Sequence, residues 1–154
     1  MNSFAFAFYN QLIILMKKHI PLAIAMLLLC CAAWSQVKPH SVVFDVTSAD
    51  TLTQQTAVRH LALMTSTYPE TKFELVIYGA SLPMVLKDKS TVSKGLKQLE
   101  GNKNVSVKVC AVTMKRYNVD KTQLLPSVEV VPDGIMEIVN KQTEGWGYIK
   151  ESHN

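Results

Sequence analysis

From residue 41 onward, short apolar runs alternate with stretches that have the spacing of amphipathic helices. Strands are predicted at residues 41–47, 73–78, 105–110, 127–131 and 146–150. Helices are predicted at residues 52–68, 90–99, 111–116 and 132–142, with short helical turns at 81–86 and 121–125. This alternation indicates a mainly parallel sheet between two helical layers. The predicted fold is a three-layer α/β/α sandwich with five strands, of the flavodoxin-like topology class.

The first 35 residues have the pattern of a targeting segment. Lys17 and Lys18 precede an apolar run at residues 20–33, and small residues at Ala33 and Ser35 suit a cleavage site. This pattern predicts a secretory signal peptide that begins at Met16.

Residues 1–15 precede that start and carry no basic residue, so we interpret them as an upstream extension. An uncleaved membrane anchor is the alternative interpretation. A lipoprotein signal at Cys30 or Cys31 fits less well, because a large residue precedes each cysteine.

These patterns predict that the chain consists of a signal region at 1–35, a linker at 36–40, one domain at 41–150 and a polar tail at 151–154. They also predict a periplasmic or secreted protein, with membrane contact only through an uncleaved signal. Without Lys17 and Lys18, 14 Lys and Arg balance 12 Asp and Glu, so the charge does not indicate a nucleic-acid partner.

Cys110 is the single cysteine outside the signal region, and it lies where a predicted strand meets a predicted helix. A helix amino end favours negative charge and can hold a thiol as thiolate. A lone cysteine in an exported chain suggests a free reactive thiol or an intermolecular bridge. The alternative is that Cys110 is a small buried apolar residue, because free cysteines are often buried.

Ligands in such folds bind at the carboxyl ends of the strands. The loops at 47–51, 79–83 and 110–113 are predicted to meet there. The candidate ligand-binding residues at this edge are Gly79, Ala80, Ser81, Thr113 and Met114.

Several other chemistries lack their residue patterns. His40, His60 and His153 are too far apart in sequence for a local metal motif, and no Cys-x-x-Cys pair is present outside the signal region. The hydroxyl-rich loop at 47–53 has no glycine that would admit a phosphate, so we expect no nucleotide, flavin or other cofactor.

Three segments together resemble the DsrE/DsrF-like family, including its YchN-type members. They are the strand 75–79 that ends in glycine, the strand-cysteine-helix element at 107–114, and the closing segment 130–138 with Gln142, Gly145, Trp146 and Tyr148. The resemblance covers nearly all of residues 41–150.

The resemblance implies a five-stranded α/β/α fold and assembly into trimers or hexamers. For part of the family it also implies persulfide relay through the cysteine matched by Cys110, with dedicated sulfur donor and acceptor proteins. Cys110 would then be a sulfur carrier without an independent turnover reaction. The alternative function is a non-catalytic oligomeric module that binds a small ligand or a partner. Trp146 and Tyr148 are expected in the core, or at a subunit interface if they are exposed.

Overall fold

The computed structural model describes residues 40–152 and, before them, only the isolated positions 9, 13, 17, 19 and 20. The chain divides into two units, Met1–Lys38 and Pro39–Asn154. Apart from positions 17, 19 and 20, the predicted signal peptide lies outside the described residues, as do its cleavage site and Cys30 and Cys31. Among the residues that are described, no helix combines the length and the apolar character needed to cross a bilayer.

The second unit follows the predicted alternation of strands and helices. Its strands are β1 (Ser41–Val46), β2 (Lys72–Ile77), β3 (Val105–Cys110), β4 (Val128–Val131) and β5 (Gly147–Lys150). Its α-helices are α1 (Thr51–Thr67), α2 (Ser93–Gln98), α3 (Ala111–Arg116) and α4 (Gly134–Thr143). Two 3₁₀ turns, Gly79–Val85 and Lys121–Gln123, occupy the predicted short helical positions.

Two helices are shorter than predicted, and in each case a specific hydrogen bond explains why. Ser90 lies in the loop before α2 instead of starting the helix, because its hydroxyl donates to the Met84 carbonyl and accepts from the Val92 amide. The 3₁₀ turn after Asp120 ends at Gln123, because the Leu125 amide is held by the Val85 carbonyl at 2.9 Å.

The five strands form one sheet in the order β4-β3-β2-β1-β5, and every neighbouring pair is parallel. The predicted α/β fold with a five-stranded parallel sheet is thereby confirmed. The flavodoxin-like topology is not, because a flavodoxin-like sheet has the strand order 2-1-3-4-5, whereas here β2, β3 and β4 all lie on one side of β1. From β1 to β4 the chain moves across the sheet in one direction, and it then returns past β1 to add β5. Right-handed crossovers place connections that run in opposite directions on opposite faces of the sheet. We call the face under α1, α2 and α3 the first face, and the face under α4 the second face.

The first face carries the main apolar core. Every second strand residue points into it, from Phe44 on β1 to Leu75 on β2 and Val109 on β3, and all three are fully buried. Leu61 of α1 and Met114 of α3 close the core from above. Burial of these side chains supplies most of the hydrophobic stabilisation of the domain.

The second face holds a much smaller apolar cluster, built on Val43, Val76 and Ile138. The alternate strand positions around it are largely polar. They are Asp45 on β1, Glu74 on β2, Ser106, Lys108 and Cys110 on β3, Glu129 on β4, and Tyr148 and Lys150 on β5. The functional groups therefore lie on the face with the weaker core.

Candidate functional site at the carboxyl edge of the sheet

Cys110 is the last residue of β3 and the N-cap of α3. Its backbone is extended, and its strand partner on β4 is Val131. The residue is only 4% exposed, so the thiol does not lie on an open surface. The predicted junction of strand and helix is present, and the thiol is covered.

The position of Cys110 in the topology favours ligand binding. The connection after β3 leads to α3 on the first face, whereas the connection after β4 leads to α4 on the second face. Two adjacent parallel strands whose connections diverge in this way leave a crevice at their carboxyl ends, which is where open α/β sheets bind ligands. Cys110 and Val131 end the two strands at this point.

The first residue of α4 lies against Cys110. An added Cβ at Gly134 would be 3.1 Å from the Cys110 Cβ and 3.3 Å from the Tyr78 Cβ. Glycine therefore permits this close approach of helix to strand. The Asp133 carboxylate fixes the start of α4 by accepting hydrogen bonds from the Ile135 and Met136 amides at 2.8 and 3.2 Å. Pro132, which the sequence placed in the first turn, precedes this cap.

The candidate ligand-binding residues join the three loops that were predicted to meet. The Gly79 amide donates to the Thr113 hydroxyl at 3.0 Å, and the Ser81 hydroxyl donates to the Val46 carbonyl at 2.6 Å. Met114 is buried in the core of the first face, whereas Ala80 is exposed. The two hydroxyls thus hold the loops to one another, and a role for these residues in ligand binding stays a prediction.

A second polar group, which the sequence did not predict, adjoins the thiol. The buried Asp45 carboxylate accepts hydrogen bonds from the Tyr148 hydroxyl at 2.7 Å, the Tyr78 hydroxyl at 3.3 Å and the Lys150 ammonium at 3.0 Å. Lys150 also donates to the Thr47 hydroxyl at 2.7 Å. We call these five residues the Asp45 network. The signal in the sequence was a single carboxylate within an otherwise apolar strand, where burial requires partners.

The Asp45 network changes the acidity of its two tyrosines. Burial, followed by the hydrogen bond and negative charge of Asp45, raises the pKa of Tyr148 to about 12. Burial, followed by Asp45 and more weakly by Cys110 and Asp133, also raises the pKa of Tyr78. Both tyrosines therefore remain protonated donors at neutral pH, and Tyr78 connects the network to the surroundings of Cys110.

Other features lie away from this edge. An open groove of about 580 Å³ runs between α1 and α2, and the residues that line it include Val58, Ala62 and Gly95. His60 is 47% exposed, and its Nδ1 lies 3.0 Å from an oxygen of the buried Glu151. Within residues 40–152, no group of three or more His, Cys, Asp and Glu side chains is arranged to hold a metal ion.

Comparison with known proteins identifies the family. The model of the DsrE/DsrF-like family matches residues 40–150. This chain belongs to the DsrE/DsrF-like family. The resemblance found in the three sequence segments is thereby confirmed, and membership suggests a role in sulfur relay. A search of curated proteins finds no match to the chain.

Solved structures support the same fold. A protein of unknown function from Methanobacterium thermoautotrophicum is 28% identical, with a TM-score of 0.67 over 72% of this chain and 98% of its own. The YchN protein from E. coli is 13% identical, with a TM-score of 0.60 over 73% of this chain and 99% of its own. A conserved protein of unknown function from Bacteroides thetaiotaomicron is 14% identical, with a TM-score of 0.55 over 71% and 93%. The last two likenesses show the fold alone.

Proposed function

We propose that this protein carries sulfane sulfur as a persulfide on Cys110, and that it does so outside the cytoplasm after export by its amino-terminal segment. The observation that carries the proposal is the position of Cys110, the single cysteine after residue 35, at the carboxyl ends of the adjacent strands β3 and β4. DsrE-family membership supports a task in sulfur relay.

The proposed transfer is an exchange at sulfur with no net oxidation. The Cys110 thiolate attacks the outer sulfur of a donor persulfide and forms a new S–S bond. The S–S bond of the donor breaks, and the donor leaves as a thiolate with the bonding electron pair. The outer sulfur keeps its proton, so the products are a Cys110 persulfide and a donor thiolate. An acceptor protein removes the sulfur by the same exchange in reverse.

The geometry sets a condition on this chemistry. Cys110 is 4% exposed and Gly134 lies against it, so a donor reaches the sulfur only after the local cover moves. Tyr78 supplies a protonated hydroxyl in the neighbourhood of the thiol, as its raised pKa indicates.

Mass spectrometry of the intact protein tests the proposal. A Cys30→Ser, Cys31→Ser background leaves Cys110 as the sole thiol, and a Cys110→Ser variant of that background is the matched control. Incubation with inorganic polysulfide is expected to add about 32 Da, the mass of one sulfur atom, to the background protein alone. An equal adduct on the Cys110→Ser control would contradict the proposal.

A second candidate function is favoured by the burial of Cys110: a non-catalytic oligomeric module that binds a small ligand or a partner. The outer side of α4 supports it, because Ile135, Met136 and Val139 expose between 44% and 57% of their surface. Tyr148, 43% exposed, adds an aromatic side chain from β5. Exposed apolar groups of this kind often form subunit interfaces.

Light scattering and the same mass experiment distinguish the two functions. The module is expected to assemble as a trimer or hexamer, and to take up sulfur only after denaturation. A Met136→Glu variant should shift the assembly toward monomer, with Glu144→Gln at the C-cap of the same helix as a surface control. Sulfur uptake by the native protein would exclude the purely structural module.

A further inference from the structure

Helix α4 rests on the sheet through charged side chains. Gly134, Glu137, Ile138 and Lys141 recur at the spacing of one helix face, and all four are buried or partly buried. Ile138 is the only large apolar side chain among them. The contact of α4 with the sheet therefore combines the apolar packing of Ile138 with two charged side chains.

Glu74 of β2 lies beneath this helix face and is 3% exposed. One carboxyl oxygen, Oε2, accepts a hydrogen bond from the Ser106 hydroxyl at 3.0 Å. The other, Oε1, is completely buried and has no hydrogen-bond partner among the described residues. A buried carboxylate with an unsatisfied oxygen is costly, whereas a neutral carboxyl can turn that oxygen into a donor.

The groups that face Glu74 come from three elements. Helix α4 contributes Glu137 and Lys141, β3 contributes Ser106, and β1 contributes the apolar Val43 in register. Lys141 does not neutralise Glu74 alone, because it also pairs with two other carboxylates. Its Nζ is 3.8 Å from Glu137 and 3.4 Å from Glu144. A carboxylate on α4 thus stands opposite a buried carboxyl on the sheet.

We propose that Glu74 and Glu137 share one proton near neutral pH, and that this proton holds α4 on the sheet over Cys110. The protonated Glu74 donates from Oε1 to the Glu137 carboxylate, which satisfies the oxygen that is otherwise without a partner. The pKa of Glu74 is raised to about 7, by burial above all and then by Glu137, against the opposing effects of Ser106 and Lys141.

Loss of the proton puts two negative charges beneath α4. Their repulsion loosens the helix, and Gly134 then moves away from Cys110. The thiol becomes more accessible as the pH rises through about 7, the pKa of Glu74 in the closed state. Only the purpose given to this access rests on the proposed function. The shared proton would hold α4 in the same way if Cys110 carried no sulfur.

Thiol accessibility tests the inference directly. The probe is 4,4′-dithiodipyridine, applied from pH 5 to pH 8.5 to the full chain with Cys30→Ser and Cys31→Ser. A Glu74→Gln variant of the same chain imitates the protonated carboxyl, because its amide donates to Glu137 and its oxygen accepts from Ser106. The rate ratio between the two proteins cancels the intrinsic pH dependence of the thiol.

The rate for the protein with Glu74 divided by the rate for Glu74→Gln is expected to be no more than a few-fold at pH 5 and to exceed about tenfold by pH 8, since each pKa unit between open and closed states corresponds to a factor of ten. A Glu144→Gln variant, which removes the other carboxylate beside Lys141, should keep the wild-type pH dependence. A ratio that does not change with pH would refute the proposal that deprotonation of Glu74 uncovers Cys110.

Carbon-13 NMR of the glutamate carboxyls tests the shared proton by itself. One carboxyl resonance should titrate near pH 7 and disappear in Glu74→Gln, and Glu137→Gln should lower its midpoint. If every glutamate titrates below about pH 5, as unperturbed glutamates do, the shared proton is refuted. Cys110 that reacts with the disulfide probe but takes up no sulfane sulfur would refute the proposed function and leave this inference intact.

Discussion

The two faces of the sheet differ in both chemistry and cover. The first face buries a continuous apolar core under α1, α2 and α3. The second face combines one small apolar cluster with the Asp45 network, Glu74 and Cys110, under α4 alone. Apolar packing is insensitive to pH, whereas buried polar groups respond to protons, ligands and partners. The comparison teaches that the first face maintains the fold and the second face is available for function.

The largest expected effect comes from truncating the main buried side chain of one helix on each face. Leu61→Ala in α1 should lower the free energy of unfolding by roughly 3–5 kcal/mol, because it leaves a cavity in a closed core. Ile138→Ala in α4 should cost only about 2 kcal/mol, because a single helix over a small cluster can adjust. Urea denaturation measures both. Equal losses would remove the distinction between the faces.

Proton linkage should be confined to the second face. The pKa of Glu74 is about 7 in the folded protein and 4.5 as the reference value. A raised pKa contributes stability that is complete below pH 4.5 and is lost as the pH rises to about 7. The free energy of unfolding of wild type relative to Glu74→Gln should therefore fall by about 1–3 kcal/mol across that range. Urea denaturation at a series of pH values checks this, and a constant difference would contradict it.

Removing the central carboxylate of the Asp45 network should have an effect on stability of similar size, together with a specific effect on one tyrosine. Asp45→Asn weakens three hydrogen bonds on the second face and should cost about 1–3 kcal/mol. It should also lower the pKa of Tyr148 from about 12, because the Asp45 charge is lost while burial remains. NMR of the tyrosine ring carbons measures that pKa, and Tyr148→Phe identifies the resonance. An unchanged Tyr148 pKa would show that burial alone sets it.

The smallest expected effect concerns the contact between α4 and Cys110. Gly134→Ala places a methyl group 3.1 Å from the Cys110 Cβ, so α4 must shift, at a cost of about 1 kcal/mol. Gly147→Ala on β5 is the matched control, because its nearest neighbour would be 3.7 Å away. Thermal unfolding should separate the two variants. Unchanged melting and unchanged Cys110 reactivity in Gly134→Ala would show that the helix end is not held against the thiol.

Most of the fold could be predicted from local signals. The alternation of strands and helices gave the parallel sheet, and Asp50 and Asp133 cap α1 and α4 through the backbone amides that follow them. The position of Cys110 at the end of β3 was also correct, because it depends only on where a strand pattern stops.

The surroundings of Cys110 could not be predicted in the same way. Asp45 and Lys150 are 105 residues apart in sequence and meet only because β5 returns to pair with β1. The pairing of Glu74 with α4 likewise requires the crossover that places that helix on the second face. Burial of the thiol depends on the close approach of Gly134 to Cys110. The sequence shows the glycine but does not show which strand it will contact.

The return of β5 to β1 also has a consequence for how the chain is made. β1 is the first strand of the sheet to be synthesised. One of its two neighbours, β5 (Gly147–Lys150), is the last. Until those residues leave the ribosome, one side of β1 remains an unpaired edge, which is the kind of edge that aggregates or recruits other strands. A chain that stops before residue 147 should therefore be prone to self-association, even though its main core is already encoded.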